Sequence, residues 1–155
     1  MLGWLFFERE VGNWFVYLSR PFHRAAATFG QDPTARLVWF IVSASFGMLF
    51  SPIGEEILYR GVVHESFAEK FGDRVASYID SAAFAITHLA HFGIVYTAMG
   101  WRFLPIPATL WVLLMFLSSQ VFYFGRIRSR SLFGAMVSHA GFNLAMIYCI
   151  FFWVL

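Results

Sequence analysis

Apolar and polar positions fall in long blocks along this chain. The blocks 37–63, 78–98, 108–124 and 132–155 are dominated by apolar residues over roughly the 20 residues that an α-helix needs to cross a hydrocarbon layer. Shorter polar stretches separate them. Residues 20–36 carry Arg20, Arg24, Asp32, Pro33 and Arg36; residues 64–77 carry His64, Glu65, Glu69, Lys70, Asp73 and Arg74. Gly100 to Pro107 forms a connector, and Arg126, Arg128 and Arg130 mark a short basic loop. The N-terminus follows another pattern. Trp4, Phe7, Val11, Trp14 and Leu18 recur at helical spacing, with Glu8, Arg9, Gly12 and Asn13 on the other side. This predicts an amphipathic helix lying in the interface, its tryptophans at headgroup level, with a membrane-embedded helix as the alternative. The expected fold is all-α, a polytopic transmembrane helical bundle of about four core spans plus this N-terminal helix. Residues 1–36 make the interfacial helix and connector, and residues 37–155 make the core.

Composition supports a membrane reading. Hydrophobic residues make up 59% of the chain and charged residues 13%, against roughly 25% charged in soluble domains. So much apolar surface would be unsustainable in water. Glu8, Arg9 and Glu10 interrupt the first apolar run, which therefore does not read as a signal peptide. The net charge of +2 is dispersed, and no basic run points to nucleic acid. The single cysteine, Cys149, cannot form an internal disulfide and reads as a buried small hydrophobe.

Ionisable groups at membrane depth are expensive and usually functional. The first apolar block contains Gly54-Glu55-Glu56-Ile57-Leu58-Tyr59-Arg60, just after Pro52, which is placed to kink the helix and aim the carboxylates inward. Glu56 and Arg60 are four residues apart, share a helix face and can neutralise one another. Glu55 lies some 100° around the helix and needs another partner, a proton, a water or a metal. His88 lies in the second block, with Asp80 near the block's start as a helix cap. His91, one turn further on, reads as structural or substrate-lining, and His23 and His64 as interfacial. Ser118, Ser119 and Gln120 of the third block are suited to bonding neighbouring helices. His139 and Asn143, again four apart, lie in the fourth. Counted from the ends nearest the 64–77 and 125–131 loops, the Glu pair, His88 and His139 all lie roughly 10–15 Å deep at a rise of about 1.5 Å per residue. A carboxylate, an imidazole, and an imidazole with an amide thus meet at one level. A carboxylate in reach of water can act as a general base, and donors in a water-poor site can stabilise an oxyanion.

These segments together resemble the CPBP family of intramembrane proteases, the CAAX prenyl endopeptidases and their bacteriocin-processing relatives. The family signature, EExxxR then FxxxH then HxxxN, reads here as Glu55-Glu56-x-x-x-Arg60, Phe84-x-x-x-His88 and His139-x-x-x-Asn143. Each pattern alone is weak; all three in order on membrane helices are specific. The resemblance covers about residues 37 to 155. It implies proteolysis of a membrane-associated protein or peptide. Glu55 and His88 would activate a water, His139 and Asn143 would hold the oxyanion, and Glu56 and Arg60 would support them. No cofactor is needed in this glutamic mechanism. A zinc version would use Glu55, His88 and His139 as a His₂Glu site with one open position. The lack of HExxH-type spacing, and an asparagine that is a poor zinc ligand, favour the glutamic form. Family members often have more spans, six to eight, so a C-terminal sorting tail or a leader peptide suits this short chain better than a prenylated CAAX substrate.

A non-catalytic bacteriocin-immunity or scaffold protein is the competing class, in which the polar cluster merely packs. A small transporter would call for inverted repeats or broken helix pairs, and the sequence has neither. The expected location is a prokaryotic inner membrane with multiple passes. Positive residues split evenly between the two faces, and the acid-free Arg126–Arg130 loop points the active-site face to the cytosol.

Overall fold

The computed structural model describes residues 32–97 and 99–154. The expected N-terminal helix, with its tryptophans and His23, lies outside the described residues. Asp32 starts the first helix: its carboxylate accepts from the Thr34 amide at 2.9 Å, and Pro33 occupies the first turn, where no amide is needed. Helix α1 (Pro33–Glu56) runs through Pro52 and passes into a π-helical segment, Ile57–Val63, and then into α2 (His64–Phe71). Widened turns of this kind are rare and concentrate at functional sites. Here the widening begins directly after Glu56. Gly72, at φ +79°, turns the chain into α3 (Asp73–Thr87).

The block expected as one span over 78–98 divides here. Helix α3 stops at Thr87, a four-residue α4 (Leu89–Phe92) follows, and Ile94–Thr97 (β1) pairs antiparallel with Gly100–Phe103 (β2). The helix ends where the Phe84 carbonyl is taken by two side chains, Thr87 Oγ1 at 2.8 Å and His88 Nδ1 at 2.7 Å. Such local bonds compete with the helical ladder. The β-branched and aromatic run Ile94-Val95-Tyr96-Thr97 then favours an extended chain. Helix α5 (Pro105–Ser129) returns across the molecule, and Arg130, in the left-handed conformation, ends it. Ser131 caps α6 (Leu132–Cys149), which ends in a π-helical segment, Ile150–Val154.

Among the described residues, three helices are long and apolar enough to cross a membrane: Pro33–Phe71, Pro105–Ser129 and Leu132–Trp153. The molecule is an all-α membrane bundle with one small hairpin. Its apolar side chains largely face outward, as Phe46, Phe50, Leu117, Val121 and Phe133 do, which suits lipid and not water. Cys149 is also exposed, contrary to the buried reading. The core is small. Tyr59, Phe84, Ala85, Met115, Phe122 and Ala135 form one cluster, and Ala44, Ile147, Ile150 and Phe151 a second. Helices α5 and α6 touch through glycine: a Cβ on Gly125 would meet the Gly134 carbonyl oxygen at 2.7 Å.

Candidate active site

The continuous helical run of α1, the π-helical segment and α2 meets α3 at Gly72, and nearly equal lengths of chain separate Glu55 and His88 from that turn. They therefore face each other. Glu55 Oε2 lies 3.6 Å from His88 Nε2, with the Glu55 side chain 28% and that of His88 16% exposed. Ser51, one turn earlier, donates its hydroxyl to Glu55 Oε1. Glu55 Oε2 is buried with no hydrogen-bond partner among the described residues. His88 Nδ1 faces a carbonyl, which can only accept, so Nδ1 carries the proton and Nε2 points at the carboxylate. Phe84 stacks on the His88 ring at 4.3 Å, and His91 meets that ring edge-to-face at 5.1 Å.

Glu56 belongs to another environment. It is wholly buried, and its Oε1 accepts from Arg60 Nη1 at 3.2 Å and from His139 Nδ1 at 2.8 Å. The helical pairing with Arg60 was legible from spacing; the bond to His139 was not. The His139 ring stacks on Phe122 at 4.4 Å and takes the edge of Phe84 at 5.7 Å. Asn143 and His139 share the α6 face, yet the Asn143 amide donates to the Gly47 carbonyl of α1 at 2.9 Å. One of its two hydrogens is therefore spent on bracing the helices.

Arg60 is the hub of a polar network inside the bundle. Its guanidinium lies against both the Phe84 and Phe122 rings, at 5.3 and 5.6 Å from their centroids. Nη2 donates to the Ser119 carbonyl at 2.7 Å and to its hydroxyl, and Nε lies 3.9 Å from Asp80 Oδ1. Asp80 is no helix cap. It sits mid-helix at zero exposure and accepts from His64 Nδ1 at 2.7 Å and Ser81 Oγ at 3.1 Å. His64 is not interfacial either, for it is buried beneath Tyr123. Ser119 also bonds Ser81, and Gln120 bonds Ser77 and Ser81, as interhelical glue should. Ser118 instead bonds its own helix at Leu114. Equal distance of His64 and Asp80 from the Gly72 turn, eight residues on each side, was the sequence signal that would have paired them.

The zinc alternative would need Glu55, His88 and His139 on one ion. His139 turns its Nδ1 to Glu56, while Glu55 and His88 face each other. Among the described residues no three His, Cys, Asp or Glu side chains form a group able to hold a metal. The donor set is two acid–imidazole pairs side by side, not a converging triad.

A family model described as Type II CAAX prenyl endopeptidase Rce1-like matches residues 37–145, which hold every residue of both pairs. No curated protein and no solved structure matches the chain.

Proposed function

The chain belongs to the Rce1-like family of type II CAAX prenyl endopeptidases, and from that premise we propose that it cleaves its substrate with a water activated between Glu55 and His88. The Glu55–His88 pair carries this reading. Its facing atoms are 3.6 Å apart, too far for a direct hydrogen bond and close enough for one water to touch both. Both are acceptors when His88 is neutral, so such a water would donate its two hydrogens to them. Its lone pair would then be free to attack a carbonyl. One proton passes to the Glu55–His88 pair on attack and is returned to the leaving amine. This pair is partly exposed, whereas Glu56 and Arg60 are sealed, which supports Glu55 as the group that meets substrate.

His139 suits the oxyanion. With Nδ1–H given to Glu56, its Nε2 is the donor left for a developing negative charge, and Glu56 stabilises the imidazolium that such donation requires. The second hydrogen of Asn143 can join it. Glu56 and Arg60 then act as supports in distinct ways. Glu56 orients His139, and Arg60 pairs with Glu56 in a dry interior. The substrate is a membrane-anchored protein or peptide, cut at a C-terminal sorting tail, a leader or a CAAX-like end.

The test uses the purified chain in liposomes with farnesylated and non-prenylated membrane-anchored peptides. Wild type should release a defined fragment from at least one of them. Glu55→Gln and His88→Ala should each lose at least about 100-fold in turnover while staying folded, as expected for removal of a general base. Turnover that survives Glu55→Gln sinks the proposal. Stoichiometric zinc, whose removal abolishes cleavage and whose return restores it, would establish the metal version instead.

A further inference from the structure

We propose that Asp80, with His64 behind it, is a positioning residue that sets how firmly Glu56 holds His139. The inference rests on the reading of His139 as the oxyanion donor. Two buried carboxylates, Glu56 and Asp80, present themselves to one guanidinium, and all three groups have zero exposure. Arg60 gives neither of them a tight grip. Its bond to Glu56 is 3.2 Å and its approach to Asp80 is 3.9 Å, whereas charge-assisted pairs favour about 2.7–2.9 Å. Nη2 is committed to Ser119. Glu56 Oε1 lies closer to His139, at 2.8 Å, than to Arg60. Asp80 and Ser119 thus draw the guanidinium away from Glu56 and leave Glu56 as a strong acceptor for His139.

His64 moderates this pull. It donates to Asp80 from Nδ1 at 2.7 Å and faces Asp73 with Nε2 at 3.3 Å. The groups around it are Asp73 and Asp80 from α3, Tyr123 from α5, and Arg60 and Glu65 from its own helical run. A polar cavity of about 440 Å³, lined by Arg60, His64, Asp73, Tyr123, Arg126 and Arg130 among others, opens on this side. The row His64, Asp80, Arg60, Glu56, His139 therefore runs from a polar cavity at the loop end to the deeply buried Glu56. Each member bonds or pairs with the next, and Asp80 touches no group placed against substrate.

Removing the Asp80 charge returns Arg60 to Glu56, and Glu56 then holds His139 more weakly. Removing the His64 Nδ1 donor frees Asp80 to pull harder on Arg60, and Glu56 then holds His139 more tightly. The test is made on the full chain in detergent with ¹⁵N-labelled histidine, the His139 Nδ1–H resonance being assigned by its loss in His139→Gln. Asp80→Asn should move that resonance upfield and His64→Gln downfield, since a stronger acceptor deshields the proton. Immobile resonances, or movement in the same direction, overturn the proposal. If Asp80→Asn does not fold, the downfield shift in His64→Gln decides alone.

Turnover of the membrane-anchored peptide gives the second readout. Asp80→Asn should lower kcat about 10–100-fold, with KM close to wild type, as outer-shell partners of catalytic groups do. In a double-mutant cycle, Asp80→Asn added to Glu56→Gln should cost no more than about threefold beyond Glu56→Gln alone, because both act on one interaction. Losses that multiply would mean that Asp80 does not work through Glu56. A wild-type chain that cleaves no peptide would defeat the protease reading, while the His139 resonance would still decide the role of Asp80.

Discussion

Glu55 and Glu56 are neighbours in sequence and have opposite fates. A turn of 100° sends Glu56 into the bundle, where Arg60 and His139 bond to it, and leaves Glu55 against His88 with part of its surface open. Activity and stability should therefore separate between substitutions only a few residues apart. Arg60→Met leaves the buried Glu56 and Asp80 carboxylates without the guanidinium they share, and should cost about 3–5 kcal/mol of stability. Glu55→Gln removes a partly exposed charge and should stay within about 0.5 kcal/mol of wild type. Chemical denaturation in detergent, followed by tryptophan fluorescence, checks both. A Glu55→Gln chain as unstable as Arg60→Met would remove the division of labour between the two glutamates.

At the scale of elements, the site depends on two helical turns that bring chain segments back at matching levels. The Gly72 turn pairs α2 and the π-helical segment with α3, and the Arg130–Ser131 turn pairs α5 with α6, so that Phe122 stacks on His139. The second pairing is tight because Gly125 and Gly134 let two backbones approach. Gly125→Ala would press a methyl group against a carbonyl oxygen that cannot swing away. It should destabilise by about 1–3 kcal/mol, the usual range for overpacking, and lower turnover by displacing α6. Gly141→Ala, on α6 with nothing within 4 Å of the added carbon, is the control and should be neutral or mildly stabilising. Thermal unfolding of the two variants side by side gives the answer.

At the scale of the whole molecule, the two turns lie at one end, since Arg126 donates to the Arg60 carbonyl and to Glu65. The hairpin lies at the other, at the far end of α5, which is about 37 Å long at the α-helical rise. The run Pro33–Phe71 has 39 residues and exceeds a hydrocarbon layer of about 30 Å, so its polar α2 end extends past the layer on the turn side. In sealed vesicles of a Cys149→Ser background, Lys70→Cys and Arg128→Cys should label with an impermeant maleimide from one face, and Met99→Cys from the other. Labelling of all three from one face would refute this topology.

Much of this was legible in the sequence because its causes are local. Apolar runs of membrane length specify helices wherever they sit, and i, i+4 spacing puts Glu56 with Arg60 whatever surrounds them. The family motifs named the chain's class for the same reason: they are patterns along helices. What the sequence could not decide is which helices touch, and with which faces. The acid partner of His139, the burial of His64 and Asp80, and the use of Asn143 as a brace follow from the packing of α1, α3, α5 and α6. The break at His88 is of another kind, local in cause but outweighed in the sequence by hydropathy. Apolar content favoured a continuous span over 78–98, but local bonds to the Phe84 carbonyl and a β-branched run ended the helix there. Hydropathy records how much a segment gains by leaving water. It carries no record of which polar groups will find each other once inside, and in this protein those encounters divide the site between an open acid–imidazole pair and a sealed one.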